Sequence, residues 1–246
     1  MTNINLLFLL QPSLVILLVV LLVVLLYNMK KFSKWILIYS FLAYALAISI
    51  KVIFQRLTSG FVYATHRPFV EGVYLGLQTM ILEVGLAYVF ANYGIKKNHL
   101  VQENEAGYGI GLAFWENGVL LGIIPLINLI VIYCILASGG SQASTLYNNL
   151  LSSQSSLFDS TIPVLIIVSF GIIERISSIM IHFAWGVLVF KAAFSHNNKY
   201  LFIALPMGLV DFFVPYYSYL GAVTFELIFF VIALISMIIA LKVKFD

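Results

Sequence analysis

The sequence predicts an all-α fold: a polytopic transmembrane bundle of about seven helices, one integral membrane domain over residues 1–246. Three observations predict it. The chain is 62% hydrophobic and only 9% charged, whereas soluble domains carry roughly a quarter charged residues. Apolar runs of the length needed to cross the hydrocarbon core, roughly 20 residues, recur along nearly the whole chain. Lysines gather in alternate connections between those runs, as cytoplasmic loops require. A soluble chain of this length could not hide so much apolar surface, because much of a folded surface must face water.

The elements follow in order. The first span covers residues 5–27. Met1–Gln11 holds no Lys or Arg, so the positive start of a cleavable signal is missing, and the span is expected to be retained. The second covers 35–54 and begins at Trp35, an interface anchor. Spans at 69–94, 108–137 and 161–191 are long enough to tilt or to project beyond the bilayer. The fourth opens with Gly107-Tyr108-Gly109-Ile110-Gly111, whose small residues let helices approach closely. Residues 138–160 are rich in Ser and Asn and nearly uncharged, and are expected to form a solvated connection. The sixth span, 200–220, carries Pro206, Asp211 and Pro215, so a kink or break is expected there. The seventh covers 222–242.

Charge placement predicts an orientation in the cell membrane. With the N-terminus outside, Lys30, Lys31, Lys34, Lys96, Lys97, Lys191, Lys199, Lys242 and Lys244 all fall on the cytoplasmic side. Arg56 and Arg67 fall outside, and Lys51 and Arg175 lie within or near spans. Nine against two supports N-out, C-in. The net charge of +3 is too small and too scattered for a nucleic-acid partner. The expected partners are the lipid bilayer and other membrane protein subunits. The single cysteine, Cys134, excludes an internal disulfide and a cysteine-ligated metal cluster.

Ionisable residues within spans are costly and mark function by default. Here they are Glu83, Glu116, Glu174, Arg175, His182 and Asp211. Glu71 and Glu226 lie near the outer ends, where an interfacial, wet position is expected. Counted from the cytoplasmic ends of their spans, Glu83, Glu116, His182 and Asp211 lie about 8 to 11 residues in, or roughly 12–17 Å at 1.5 Å per residue. Four helices thus place a carboxylate or an imidazole in one layer. Such a layer could bind a metal, because His and carboxylates suit Zn²⁺. It could also relay protons or ions, or simply lock the helices together. In the segment Glu174-Arg175-x-x-Ser178-x-x-x-His182, Ser178 and His182 are four apart and can meet. Glu174 and Arg175 are adjacent, so each is expected to pair across a helix interface. Two cofactor classes are set aside: residues 222–241 hold no lysine for a retinal Schiff base, and a single deep histidine cannot supply paired haem ligands.

The order of these motifs resembles the YhfC-type family of intramembrane metallopeptidases, distant relatives of the CAAX prenyl proteases. The similarity spans roughly residues 70–240 and rests on LEVGLAY (82–88), GIGLAFWENG (109–118), ERISSIMIH (174–182) and MGLVDFF (207–213). The family pattern is matched at Glu83, Glu116, Glu174, Arg175, His182 and Asp211. It is departed from at Leu82 and Leu86, which replace a Glu and an Arg, and at Leu112 and Met207, which replace histidines. The resemblance implies Glu83 and Glu116 as catalytic carboxylates, with Glu83 the general base, and His182 and Asp211 as metal ligands with Glu116 as an alternative ligand; for Glu174 and Arg175 the residues themselves suggest structural ion pairing, each with its own partner. The resemblance also implies Zn²⁺ if the site is active. The missing imidazoles point to a degenerate site and a non-catalytic membrane or accessory subunit. An active metallopeptidase with an altered metal site, and a proton- or cation-coupled transporter, are the alternatives.

Overall fold

Apolar length decides the architecture, because in lipid every backbone N–H and C=O must be satisfied within the segment. A computed structural model of the chain describes residues 3–243; Lys244 lies outside them. Among the described residues there is no strand, and seven helices are long and apolar enough to cross a membrane. They are α1 (Leu6–Asn28), α2 (Lys34–Tyr63), α3 (Pro68–Lys96), α4 (Gln102–Ser138), α5 (Thr161–Ser195), α6 (Asn198–Leu220) and α7 (Ala222–Lys242). The short connections alternate between two ends of the bundle. One end holds the turns after α1, α3 and α5, with Lys30, Lys31 and Lys97 in the turns and Lys199 in the first turn of α6. The other holds the turns after α2, α4 and α6.

Several expectations need correction. Helix α2 runs nine residues further than the apolar stretch 35–54, so Arg56 belongs to the helix and is exposed. Lys191 lies within α5 instead of in a connection; it is 4% exposed and pairs with Glu105 at 3.2 Å. Residues 138–160 are not a plain loop. Gly140–Ser153 is helical, followed by a tight turn at Ser155–Phe158. That helix has one apolar side: Leu150, with Leu157 beyond it, packs against Ile4 and Leu136 in a small satellite core. The sixth span does not break. Between Pro206 and Pro215 it tightens into a 3₁₀ helix, Leu205–Tyr216, which places the proline rings without interrupting the span.

Lipid tails are as apolar as leucine, so close packing, not hydrophobic burial, must hold such a bundle together. Two glycine contacts do this near the centre. A Cβ on Gly186 of α5 would stand 2.5 Å from Gly109 Cα of α4. A Cβ on Gly208 of α6 would stand 2.6 Å from Met80 Cα of α3. Helix α5 is the axis of the molecule: Ala184 through Ala193 is buried without a break, and α7 packs along it. The other half of α5 differs, with Ile162, Leu165, Ile166 and Ile167 exposed.

Candidate metal centre

The two glycine contacts bring α4 against α5 and α3 against α6, and the ionisable layer forms where these pairs meet. Thirteen residues separate Glu83 from Lys96, His182 from Ser195 and Asp211 from Asn198, and fourteen separate Glu116 from Gln102. The four groups are therefore at one depth, about 20 Å along their helices from the lysine-rich end.

Local winding aims the carboxylates. Glu83 lies in a π-helical stretch, Thr79–Val84, and Glu116 in another, Phe114–Ile123. Asp211 lies in the 3₁₀ stretch of α6. Each departs from the α-helical turn, and such departures turn a side chain away from the stripe it would otherwise join. His182 alone sits on regular α-helix.

Glu83, Glu116 and His182 each offer a ligand atom, and those atoms lie within 4.8 Å of one another. His182 Nε2 faces Glu116 Oε2 directly and Glu83 Oε2 at 3.7 Å. His182 Nδ1 is 2.9 Å from the Ser178 carbonyl oxygen. A carbonyl can only accept, so Nδ1 carries the proton. In the neutral ring Nε2 then presents a lone pair to the two glutamates. Nε2 and Glu116 Oε2 are both buried, and among the described residues neither has a hydrogen-bond partner beyond their contact with each other. Asn117 Nδ2 donates to Ser178 Oγ at 3.1 Å, and Trp185 packs on the imidazole with ring centroids 4.2 Å apart. The ring is thus held from behind and from the side, as metal-binding imidazoles are.

Asp211 does not join that trio. Its Oδ2 accepts from Lys51 Nζ at 3.0 Å and from the Thr79 hydroxyl. Lys51 also donates to Glu83 Oε1 at 2.7 Å and to Thr79 Oγ1 at 2.6 Å. Lys51 was not singled out by the sequence, yet it links α2, α3 and α6. The two oxygens of Glu83 act separately, Oε1 holding the ammonium while Oε2 faces the imidazole. Three carboxylates and one ammonium make up the cluster, with the Arg175 guanidinium within electrostatic range of Glu116.

The cluster lines one end of a cavity of about 580 Å³. The mouth lies among Ile166, Ile167, Val214 and Val223, all strongly exposed. Glu174 and Arg175 line the far end. Arg175 pairs with its neighbour Glu174, where the sequence predicts partners across a helix interface; the long guanidinium arm folds back to reach it. Glu226 also lines this end and is only 4% exposed, so it is not the wet interfacial residue expected. Leu82, Leu86, Leu112 and Met207 do not line the cavity.

Among known protein families, a model described as YhfC intramembrane metalloprotease matches residues 14–233. Neither a curated protein nor a solved structure matches.

Proposed function

Because the chain belongs to the YhfC intramembrane metalloprotease family, we propose that it is a metal-dependent peptidase acting on peptide segments within the cell membrane. The observation that carries this reading is the buried convergence of His182 Nε2, Glu116 and Glu83, whose ligand atoms lie within 4.8 Å of one another. An imidazole nitrogen and a carboxylate oxygen face each other in a buried site only with a proton or a metal ion between them. Imidazole and carboxylate are both zinc ligands, and three of them leave a position for water, but one histidine makes a weaker set than the histidine-rich sites that bind zinc tightly. Zn²⁺ is the proposed ion.

His182 Nε2, Glu116 and Glu83 would hold the metal. When bound, such an ion polarises a carbonyl and lowers the pKa of a water. Lys51 fixes Glu83 by its Oε1 and so directs Oε2 toward the imidazole. Asp211 is 32% exposed, lines the cavity and stands outside the trio; it is the carboxylate available to take a proton from water and return it to the leaving amine. The apolar mouth suits a substrate arriving from lipid.

The experiment is metal analysis of protein purified without chelator, with cleavage of a membrane-embedded reporter peptide measured alongside. About one divalent ion per chain is expected. Both the ion and the cleavage should be lost in His182→Ala. Wild-type protein without stoichiometric metal would overturn the reading.

A second reading is favoured by the departures at Leu82, Leu86, Leu112 and Met207: a non-catalytic accessory subunit in which protonated His182 pairs with Glu116. It predicts a stable co-purifying partner and no metal.

A further inference from the structure

The far end of the cavity has chemistry of its own. Glu174 lies eight residues before His182 on α5, about 12 Å along the axis. Glu174 and Arg175 are engaged with each other. Glu226 reaches the same place from α7 and is within electrostatic range of both. Its side chain is buried, and among the described residues Oε2 has no hydrogen-bond partner. Phe225 and Phe229 line the wall beside it. Two carboxylates against one guanidinium leave this end with a negative charge in excess, Glu226 buried and Glu174 36% exposed. A buried carboxylate is stable only when a donor or a cation meets it.

We propose that Glu226, with Glu174, is a binding subsite for a positively charged group of the substrate: an ammonium or guanidinium, from a Lys or Arg side chain or from a free amino terminus. This rests on the peptidase reading for what the substrate is, but not for the charge it must carry. The separation fixes its position. An extended chain spans about 3.3–3.6 Å per residue, so 12 Å places the cation between three and four residues from the bond cut at the metal centre. A carboxylate at the same place would meet net negative charge and be disfavoured.

The test uses full-length protein in nanodiscs and a fluorescent apolar peptide in four forms. One has Lys at the third or fourth position from the cleavable bond. One has norleucine there, one has Glu there, and one has a free amino terminus at that distance, with its acetylated twin as control. Binding is read by anisotropy on His182→Ala protein, so it does not depend on turnover. The Lys or free-amine peptide should bind roughly tenfold or more tightly than its neutral twin, and Glu226→Gln should erase the difference. Acetylation that abolishes the preference assigns it to the amino terminus; a preference kept by the acetylated Lys peptide assigns it to the side chain. Equal binding of charged and neutral peptides, or a preference that survives in Glu226→Gln, overturns the proposal. If Glu226→Gln does not fold, as judged by its melting curve, Glu174→Gln serves as the second variant, with the same outcomes. Cleavage of none of the peptides by wild-type protein would sink the peptidase reading, while the binding preference would still decide the subsite.

Discussion

Lys51 shows how much one side chain can hold. Its ammonium meets Thr79, Glu83 and Asp211, and 13% of it is exposed. Replacing it with an apolar residue leaves two carboxylates without their counter-charge. Removing one partner of a buried pair costs about 3–5 kcal/mol, so Lys51→Met should lower the thermal midpoint sharply in nanodiscs. Adding Glu83→Gln should recover part of that loss, since the two changes share one interaction. An unchanged midpoint in Lys51→Met would show that the pair carries no weight. Glu83, Glu116, His182 and Asp211 were legible in the sequence because their depth is a matter of counting residues. Lys51 was not. A lysine stem can carry its charge far from its own Cα, so position along the helix does not say where the ammonium goes. Glu226 misled in the opposite way. It stands four residues into α7, a place that reads as interface, but α5 and its own neighbours cover it.

At the level of elements, the site depends on where helices depart from α geometry and where they touch. Hydropathy reports apolar content, and a turn of five residues per hydrogen bond has the same content as one of four. The π stretches at Thr79–Val84 and Phe114–Ile123 were therefore invisible in the sequence, although the glycine run of α4 did signal close packing. The change of winding also bears on the missing histidine at Met207. In an α-helix residues 207 and 211 would share a face, but with three residues per turn they lie about 120° apart. Met207 is accordingly buried away from the cavity. The Gly186–Gly109 contact makes a direct prediction. Gly186→Ala puts a methyl group 2.5 Å from the facing Cα, so the two backbones must separate. Overpacking of this kind costs about 1–3 kcal/mol. A lower melting temperature together with weaker metal retention is expected, because the same contact holds Glu116 beside His182. Wild-type metal retention at a lowered melting temperature would separate the packing from the site.

For the molecule as a whole, five of the seven spans were legible to within four residues at either end, while α2 and α4 run nine and six residues beyond the apolar stretches that mark them. The helix over Gly140–Ser153 was not legible, because Ala143 and Leu150 are its only buried residues, too few to stand out among Ser and Asn. Sidedness is the large-scale prediction. We expect the lysine-rich end to face the cytoplasm, as the positive-inside rule implies. In a Cys134→Ser background, Lys97→Cys should react with an impermeant thiol reagent only from the cytoplasmic side, and Gln142→Cys only from outside. The reverse pattern would invert the molecule.

The link between Lys51 and Glu83 also bears on how the chain enters the bilayer. A charge at the centre of a lone span costs about 2.5–3.5 kcal/mol on insertion. Lys51 and Glu83 stand on consecutive spans, so a nascent hairpin of α2 and α3 can leave the translocon with its charges already neutralised. Asp211 arrives last, on α6, and finds the ammonium already in position. The order of synthesis thus spares the membrane an unpaired Lys51 at every stage after the third span.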